Sequence, residues 1–260
     1  MKKKWASIKA NLPAAVLLAV LVLFWELVSR TAGIAEYILP APSAIAVSLA
    51  DNYSLLLEHA GVTLSAVLSG LALAVVVALL LATAMDRWAT LKQAVYPVLV
   101  ISQAIPIFAL APLMLIWFGV GLLPKVLIVA LVCFFPLAVN LVEGFDQVDR
   151  EAVELMQTMH ADRWMIMRSV QLPSALPYFF SGLKIAATYS VLGAIIGEWL
   201  GARAGLGIYM LRAMNSFRTS DLFASIIVVI ILSLAFFKLV EVSGWLVMPW
   251  RRKTHKISED

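Results

Sequence analysis

The sequence predicts an all-α membrane protein with six transmembrane helices, and three observations favour that fold class. Of the 260 residues, 62% are hydrophobic and only 14% are charged. An average soluble domain is about half apolar and about a quarter charged. The mean hydropathy is +0.94, and the few charges leave long uncharged gaps. This composition excludes a disordered chain, a nucleic-acid-binding domain and a disulfide-stapled secreted module.

The gaps between charged residues delimit the six spans, because a helix needs about 20 apolar residues to cross the bilayer. In chain order they are Leu12–Val28, Ala60–Met85, the segment between Lys92 and Lys125, Val126–Val142, Ile185–Ala202, and Leu222 to about Pro249. Prolines 97, 106 and 112 interrupt the third segment. Glu26 with Arg30, and Lys238 with Glu241, have the spacing of ion pairs on one helix face.

Basic residues predict the orientation, because cytoplasmic loops of membrane proteins carry an excess of Lys and Arg. If the amino terminus is cytoplasmic, the inner segments hold 14 basic residues and the outer segments hold 5. The sequence therefore predicts that both termini lie in the cytoplasm.

The longest cytoplasmic connection, from Glu143 to about Lys184, is also the most polar part of the chain before its tail. Its first part, 143–168, holds six acidic and three basic residues, a net charge of −3 in a chain of +4 overall. An acidic loop runs against the positive-inside trend. This difference indicates that the loop has a purpose other than orientation.

Helical periodicity within this loop predicts two short helices. Between Arg150 and Met159, one face carries Ala152, Val153, Met156 and Met159, and Leu155 flanks it. Asp162 is placed to cap a second helix that carries Trp164, and Pro173 is expected to end it. A Met- and Trp-rich helix pair outside the bilayer suits docking into a groove on another protein. The alternative is a helix pair resting on lipid headgroups, which anionic lipid would oppose.

The loop also has a recognisable spacing: Glu154-Leu155-Met156, three residues, His160, nine residues, then Val170-Gln171-Leu172-Pro173. It resembles the cytoplasmic signature of binding-protein-dependent ABC importer permeases, which reads Glu-Ala-Ala, three residues, Gly, nine residues, Ile-x-Leu-Pro. Here Leu155 and Met156 replace the two alanines, and His160 replaces the glycine that turns the chain. Histidine tolerates a left-handed conformation better than most residues do.

Other segments extend the resemblance over about residues 55 to 250. They are Gln103-Ala104-Ile105-Pro106, Leu110-Ala111-Pro112, Ala161-Asp162-Arg163-Trp164, Leu172-Pro173-Ser174-Ala175-Leu176-Pro177 and Gly197-Glu198. The similarity is greatest to the permeases of nitrate, sulfonate, taurine and thiamine-precursor importers.

The resemblance implies an ABC importer permease fold, with residues 1–260 as one transmembrane domain and 143–184 as the cytoplasmic coupling loop. Its implied partners are two cytoplasmic ATPase subunits, an extracytoplasmic solute-binding protein, a second copy of the chain and the lipid bilayer of a bacterial inner membrane. ATP and Mg would bind the partner ATPase, and this chain would hold no cofactor. The loop residues implied to couple to the ATPase are Glu154, Leu155, Met156, His160, Ala161, Asp162, Trp164, Leu172 and Pro173.

The chain itself offers no pattern for catalysis or for a metal. It has one cysteine and three histidines that are far apart in the sequence. The glycine-rich stretch from Gly201 to Gly207 lacks the Gly-Lys-Ser/Thr ending of a phosphate-binding loop. We therefore interpret that stretch as a flexible outer loop, and we expect the protein not to be an enzyme.

Polar residues within the spans are candidates for the translocation pathway. Gln103 and Asn140 either face the pathway or tie helices together by hydrogen bonds. Glu198 either lines or gates the outer mouth, or pairs structurally with a base such as Arg203.

The sequence and the resemblance together predict an ATP-driven importer of a small solute. The segment Leu183–Thr188 before Gly197-Glu198 points to a thiamine-precursor pyrimidine, with sulfonate, taurine or nitrate as alternatives. An ion-coupled secondary transporter is a second hypothesis, although no clear repeat and no mid-span charge in the second to fourth spans favour it. A membrane scaffold that only docks a partner is a third.

Overall fold

The computed structural model describes residues 2–250, with side chains from Leu12 onward. The basic tail used in the orientation count (Arg251, Arg252, Lys253 and Lys256) lies outside these residues. No strand occurs within 2–250. The α-helices are α1 (Lys2–Thr31), α2 (Pro42–Asp51), α3 (Tyr53–Arg87), α4 (Ala89–Ser102), α5 (Ile107–Phe118), α6 (Leu122–Asp146), α7 (Arg150–Thr158), α8 (Arg163–Ile166), α9 (Leu172–Trp199), α10 (Leu206–Asn215) and α11 (Thr219–Val247).

Five continuous helical segments are long and apolar enough to cross a membrane, and the all-α fold class is confirmed. They are Leu12–Thr31, Tyr53–Arg87, Leu122–Asp146, Arg163–Trp199 and Thr219–Val247. The second predicted span begins earlier than expected, at Tyr53 rather than Ala60. Glu58 and His59 bound the uncharged gap in the sequence, but they lie inside the helix, which begins before them at Tyr53.

The third predicted span consists of two helices, α4 and α5, whose axes differ by 102°. The described residues therefore hold six candidate spans if this bent pair counts as one. The break lies at residues 103–106, where Pro106 is extended (φ −68°, ψ 120°) and precedes α5. Pro97 and Pro112 lie inside helices instead. Of the three prolines, only Pro106 coincides with a change of direction.

Pro173 does not end the second helix of the loop 143–184, and this prediction was wrong. A π-helical segment, Met167–Gln171, joins α8 directly to α9, and Pro173 lies in the first turn of α9. Within the π-helical segment, the Leu172 N–H donates to the Met167 carbonyl, five residues back. Proline lacks an N–H and crowds the preceding turn, so a wider turn lets the helix continue past it.

The chain divides into two compact units. One unit extends from the amino terminus to His59 and includes Tyr209–Val228; the other comprises Ala60–Ile208 and the chain from Val229 onward. In the second unit, α6 and α9 pack closely along their lengths. A β carbon at Gly182 would lie 2.8 Å from the Pro136 carbonyl oxygen, and one at Gly193 would lie 3.2 Å from the Val129 Cα. Such small residues let membrane helices approach closely.

Hydrogen bonds between sequence-distant residues organise the first unit. The buried Asp221 accepts from the Ser48 hydroxyl at 2.6 Å, and Glu26 accepts from both the backbone N–H and the hydroxyl of Ser43. The Trp25 and Phe223 rings pack 5.5 Å apart. The predicted pair of Glu26 with Arg30 is confirmed here, and that of Lys238 with Glu241 is confirmed in the second unit.

Candidate functional site

Helix α7 exposes one face of the loop 143–184. The Asp149 carboxylate caps the helix by accepting from the Glu151 N–H at 2.9 Å, a capping bond that sequence reasoning missed. Glu154 is exposed, and Leu155 is 62% exposed. Met156, which the resemblance grouped with them, is half-buried. The outward apolar groups of this helix are therefore Leu155 and the following Met159, which is 71% exposed.

His160 turns the chain between the two short helices in the left-handed conformation, which answers a question that the sequence left open. Its φ is 59°. The His160 N–H donates to the Gln157 carbonyl at 3.0 Å, and the Ala161 N–H donates to the Met156 carbonyl at 3.0 Å. These two bonds form a Schellman motif, which usually has glycine at this position. The turn that glycine provides in the resembled pattern is thus present without it.

Helix α8 begins where Asp162 was expected to cap it. Its carboxylate accepts from the Met165 N–H at 2.7 Å. Trp164 is 68% exposed and Met165 is 52% exposed. We group these two residues with Leu155 and Met159, the other exposed large apolar side chains of 143–166, as the docking patch. Ala161 precedes α8 and is half-buried, and Leu172, 39% exposed, begins α9 together with Pro173.

The base of the loop is tied to neighbouring helices by polar contacts. Lys92 of α4 forms an ion pair with Asp146 at the end of α6. Gln171 in the π-helical segment donates to Asp86 of α3 at 3.4 Å. Behind α7 lies a cleft of about 360 Å³, and Glu154 is one of its lining residues. The loop is thus anchored at its base while the docking patch is exposed.

Glu198 lies at the end of α9 and is fully buried. Its carboxylate accepts from the Thr63 hydroxyl of α3 at 2.8 Å and from the Gly207 N–H of α10 at 2.7 Å. The Thr63 oxygen in turn accepts from the Leu206 N–H at 2.9 Å. We call these four groups the Glu198 clasp. Lys125, itself only 8% exposed, attracts this carboxylate electrostatically.

Two glycines leave space for this carboxylate. A β carbon at Gly205 would lie 2.2 Å from the Glu198 carboxyl carbon, and Gly205 has a φ of 131°. A β carbon at Gly207 would lie 2.7 Å from the Ile195 carbonyl oxygen. The interpretation of 201–207 as a flexible loop was wrong at its end, because α10 begins at Leu206 and both glycines are buried.

The other two pathway candidates lie apart from Glu198. Gln103 is exposed in the break between α4 and α5. The Asn140 amide donates to the Pro136 carbonyl of its own helix at 2.8 Å, and its side chain borders Gly182 of α9. No hydrogen bond within the described part of the chain joins any two of the three. The described part of the chain also contains no group of three or more His, Cys, Asp or Glu that would hold a metal ion.

Comparison with known proteins identifies the family. A model of the binding-protein-dependent transport system inner membrane component matches residues 70–253, which include the loop 143–184 and the Glu198 clasp apart from Thr63. The chain belongs to this family. It is a multi-pass inner-membrane protein and a permease of the ABC importer class.

Similar proteins agree with that assignment. The chain is 36% identical to the formylaminopyrimidine transport permease protein ThiX of Halalkalibacterium halodurans over 97% of this chain and 100% of that protein. It is 36% identical to the riboflavin transport system permease protein RibX of Chloroflexus aurantiacus over 90% of this chain and 88% of that protein. The taurine permease TauC of Escherichia coli is 28% identical over 82% of this chain and 80% of that protein.

A solved structure shares the fold of these permeases. The crystal structure of an amino acid ABC transporter with histidines has a TM-score of 0.62 and covers 76% of this chain and 96% of its own. The sequences are 17% identical, so the likeness concerns the fold alone. The hypothesis of an ion-coupled secondary transporter finds no support in any of these comparisons.

Sequence reasoning missed part of the site for a physical reason. Thr63 lies in an uncharged apolar gap, where nothing in the hydropathy distinguishes it from its neighbours. Helical periodicity did place Met159 on the apolar face of the first short helix, but neither Met159 nor Met165 was assigned to the site.

Proposed function

We propose that this permease forms half of an ATP-driven import pore, with both termini and the loop 143–184 in the cytoplasm. A second copy of the chain completes the pore, and two ATPase subunits that bind ATP and Mg dock on the coupling loops. The observation on which this rests most directly is the docking patch beside the exposed Glu154. The excess of basic residues on one side of the spans supports the orientation.

The shape and chemistry of the loop support ATPase docking. Leu155, Met159, Trp164 and Met165 expose apolar area next to a row of carboxylates, and large apolar side chains that stay exposed on a soluble loop mark an interaction surface. Glu154 has no hydrogen-bond partner within the described residues, so its carboxylate is available to a basic group on a partner. We assign Leu155 and Trp164 to apolar contacts and Glu154 to a polar one.

Co-purification tests the docking proposal. The complex is isolated from native membranes carrying Glu154→Ala, Leu155→Asp or the control Glu143→Ala, which removes an exposed carboxylate from the same acidic segment outside α7. We expect the first two variants to lose the ATPase or its coupling to uptake, and the control to retain both. Normal ATPase recovery and uptake in both α7 variants would contradict the assignment.

An extracytoplasmic solute-binding protein is the remaining partner, and the first unit offers a surface for it. An open cleft of about 630 Å³ in this unit is lined by polar residues of α2 and by Asp221 at the start of α11. Its lining includes Glu36, Asp51 and Asp221 against a single base, Arg30. We assign this cleft to basic side chains of the binding protein. Asp51→Lys should then weaken stimulation of ATP hydrolysis by the binding protein, whereas Glu58→Lys, outside the cleft, should not.

The solute that we propose is a small nitrogen heteroaromatic, and specifically an aminopyrimidine precursor of thiamine. The relatives of 36% identity are described as permeases for formylaminopyrimidine and for riboflavin, which share this chemistry. The taurine permease is more distant at 28% identity. A heteroaromatic solute is therefore favoured over sulfonate, taurine or nitrate.

Competition for uptake separates these solutes. Vesicles that contain the complete transporter and its binding protein are given labelled formylaminopyrimidine with an excess of unlabelled riboflavin, taurine or nitrate. We expect ATP-dependent accumulation of the pyrimidine that taurine and nitrate do not reduce. Uptake of riboflavin in place of the pyrimidine would assign the solute to the second relative, and uptake of taurine would contradict the heteroaromatic class.

A further inference from the structure

The cytoplasmic loop and the Glu198 clasp lie at opposite ends of one continuous helical segment. α8, the π-helical segment and α9 together run from Arg163 to Trp199, 37 residues without a break. At about 1.5 Å per residue this amounts to roughly 55 Å, more than the thickness of a bilayer. Trp164 of the docking patch is near its first residue, and Glu198 is next to its last.

Each group of the clasp is buried and occupied by a specific partner. Glu198 and Thr63 both have an exposed fraction of 0%. A carboxylate only accepts hydrogen bonds, and here it receives one from a side chain of α3 and one from the backbone of α10. Thr63 uses its hydroxyl twice, since it donates to Glu198 and accepts from the Leu206 N–H. Three helices therefore meet through two side chains.

The space around the clasp leaves little freedom for these helices to slide. Gly207 and Gly205 place backbone within reach of the carboxylate where any side chain would collide with it. On the opposite side, a β carbon at Gly197 would lie 3.2 Å from the Lys125 Cα of α6. The end of α9 is thus held by direct backbone packing on α6 and by hydrogen bonds to α3 and α10. A displacement of α9 along its axis must move these elements or break the clasp.

We propose that Glu198 is a positioning residue for transport, which ties the end of α9 to Thr63 and to the start of α10 so that movement of the coupling loop reaches the opposite end of the span. This inference rests on the proposed function. It assigns to Glu198 a role in transmission, in place of direct contact with the solute. Loss of the clasp should leave ATPase docking intact and separate ATP hydrolysis from uptake.

The test compares substitutions that keep or remove the two hydrogen bonds of Thr63. Thr63→Val has nearly the same shape but neither donates nor accepts, whereas Thr63→Ser retains the hydroxyl. Glu198→Gln replaces one acceptor oxygen by an NH₂ group. This group faces either the Thr63 hydroxyl or the Gly207 N–H, both of which donate to Glu198, so one of the two hydrogen bonds is lost. Glu241→Gln, at an exposed ion pair of α11, is the matched control. Complete transporters with these chains are reconstituted in vesicles, and ATPase content, ATP hydrolysis and uptake are measured.

We expect Thr63→Val and Glu198→Gln to lower uptake per ATP hydrolysed by roughly ten- to hundredfold, the factor that corresponds to a lost buried hydrogen bond. ATPase content and hydrolysis should stay near the wild-type level. Thr63→Ser should retain most of the uptake, and the control Glu241→Gln should resemble wild type. The double variant Thr63→Val with Glu198→Gln should transport no worse than Glu198→Gln alone.

Three results would overturn the inference. One is unchanged uptake per ATP in both Thr63→Val and Glu198→Gln. Another is an equal loss in Thr63→Val and Thr63→Ser, because the hydroxyl would then be irrelevant. The third is a parallel fall of ATPase content, hydrolysis and uptake, which indicates a purely structural role. A wild-type transporter without ATP-dependent uptake would instead contradict the proposed function itself, so the two failures are distinguishable.

Discussion

The substitution Gly207→Ala tests how closely α10 packs on the end of α9. The added β carbon would lie 2.7 Å from the Ile195 carbonyl oxygen and 3.0 Å from the Glu198 Cβ. Both neighbours belong to a buried helix end, so α10 must shift away. The shift lengthens the hydrogen bond of 2.7 Å from the Gly207 N–H to the Glu198 carboxylate.

The expected cost combines two effects. Overpacking of a filled site typically costs about 1–3 kcal/mol. Weakening a hydrogen bond to a charged group adds up to about 1.5–3 kcal/mol, while the better helix propensity of alanine returns about 1 kcal/mol at most. With the hydrogen bond fully lost, these contributions sum to a decrease of roughly 1.5–5 kcal/mol in the free energy of unfolding for Gly207→Ala.

Gly61→Ala provides the matched control. Gly61 lies in α3, is exposed, and a β carbon there would meet no atom within 4 Å. Alanine in a helix interior stabilises by roughly 0.5–1 kcal/mol relative to glycine. Thermal unfolding of the purified protein in one detergent should therefore shift down for Gly207→Ala and up, or not at all, for Gly61→Ala. If Gly207→Ala is as stable as wild type, the close packing described here is incorrect.

Three further substitutions test local features. His160→Gly should preserve ATPase co-purification and raise the free energy of unfolding by up to about 1–2 kcal/mol, because glycine adopts the left-handed conformation without strain; loss of the ATPase would show that the imidazole itself makes a contact. The Tyr209 hydroxyl is buried without a hydrogen-bond partner among the described residues, and burial raises the pKa of Tyr209. Tyr209→Phe should therefore leave the thermal midpoint unchanged or raise it, and a clear fall would reveal an overlooked partner. Lys92→Ala removes a partly exposed ion pair with Asp146 and should cost less than about 1 kcal/mol in unfolding experiments.

Features fixed by local chemistry could be predicted from the sequence. The spans follow from the gaps between charges, because a bilayer tolerates few of them. The cap at Asp162 depends only on residues a few positions away. The left-handed turn at His160 is also local, but the sequence left open whether histidine would preserve it. The effect of Pro173 is also local, yet it was mispredicted, because a π-helical turn offers an alternative to ending the helix and the residue types do not distinguish the two.

Features that depend on distant residues could not be predicted. Thr63 and Glu198 are 135 residues apart in the chain. Hydropathy marked Glu198 as unusual, but it gave no indication of which helices would surround it. For this reason the sequence left open whether Glu198 lines the pathway or forms a structural pair. The bend of 102° between α4 and α5 could not be predicted either. Three prolines interrupt that segment, and the sequence does not indicate that Pro106 is the one at the change of direction.

The acidity and the apolar patch of the coupling loop should contribute to ATPase docking in different ways. The net charge of −3 over 143–168 attracts a basic partner surface over a distance, so it should act mainly on the association rate and weaken with salt. The docking patch acts only at contact, because burial of apolar area is short-ranged, and should therefore determine the dissociation rate. Glu154→Ala should slow association at low salt and matter less at high salt, whereas Leu155→Asp should speed dissociation at both. Binding kinetics of the purified ATPase on immobilised permease measure both rates. Equal salt dependence of the two variants would mean that the charges and the apolar side chains do not act separately.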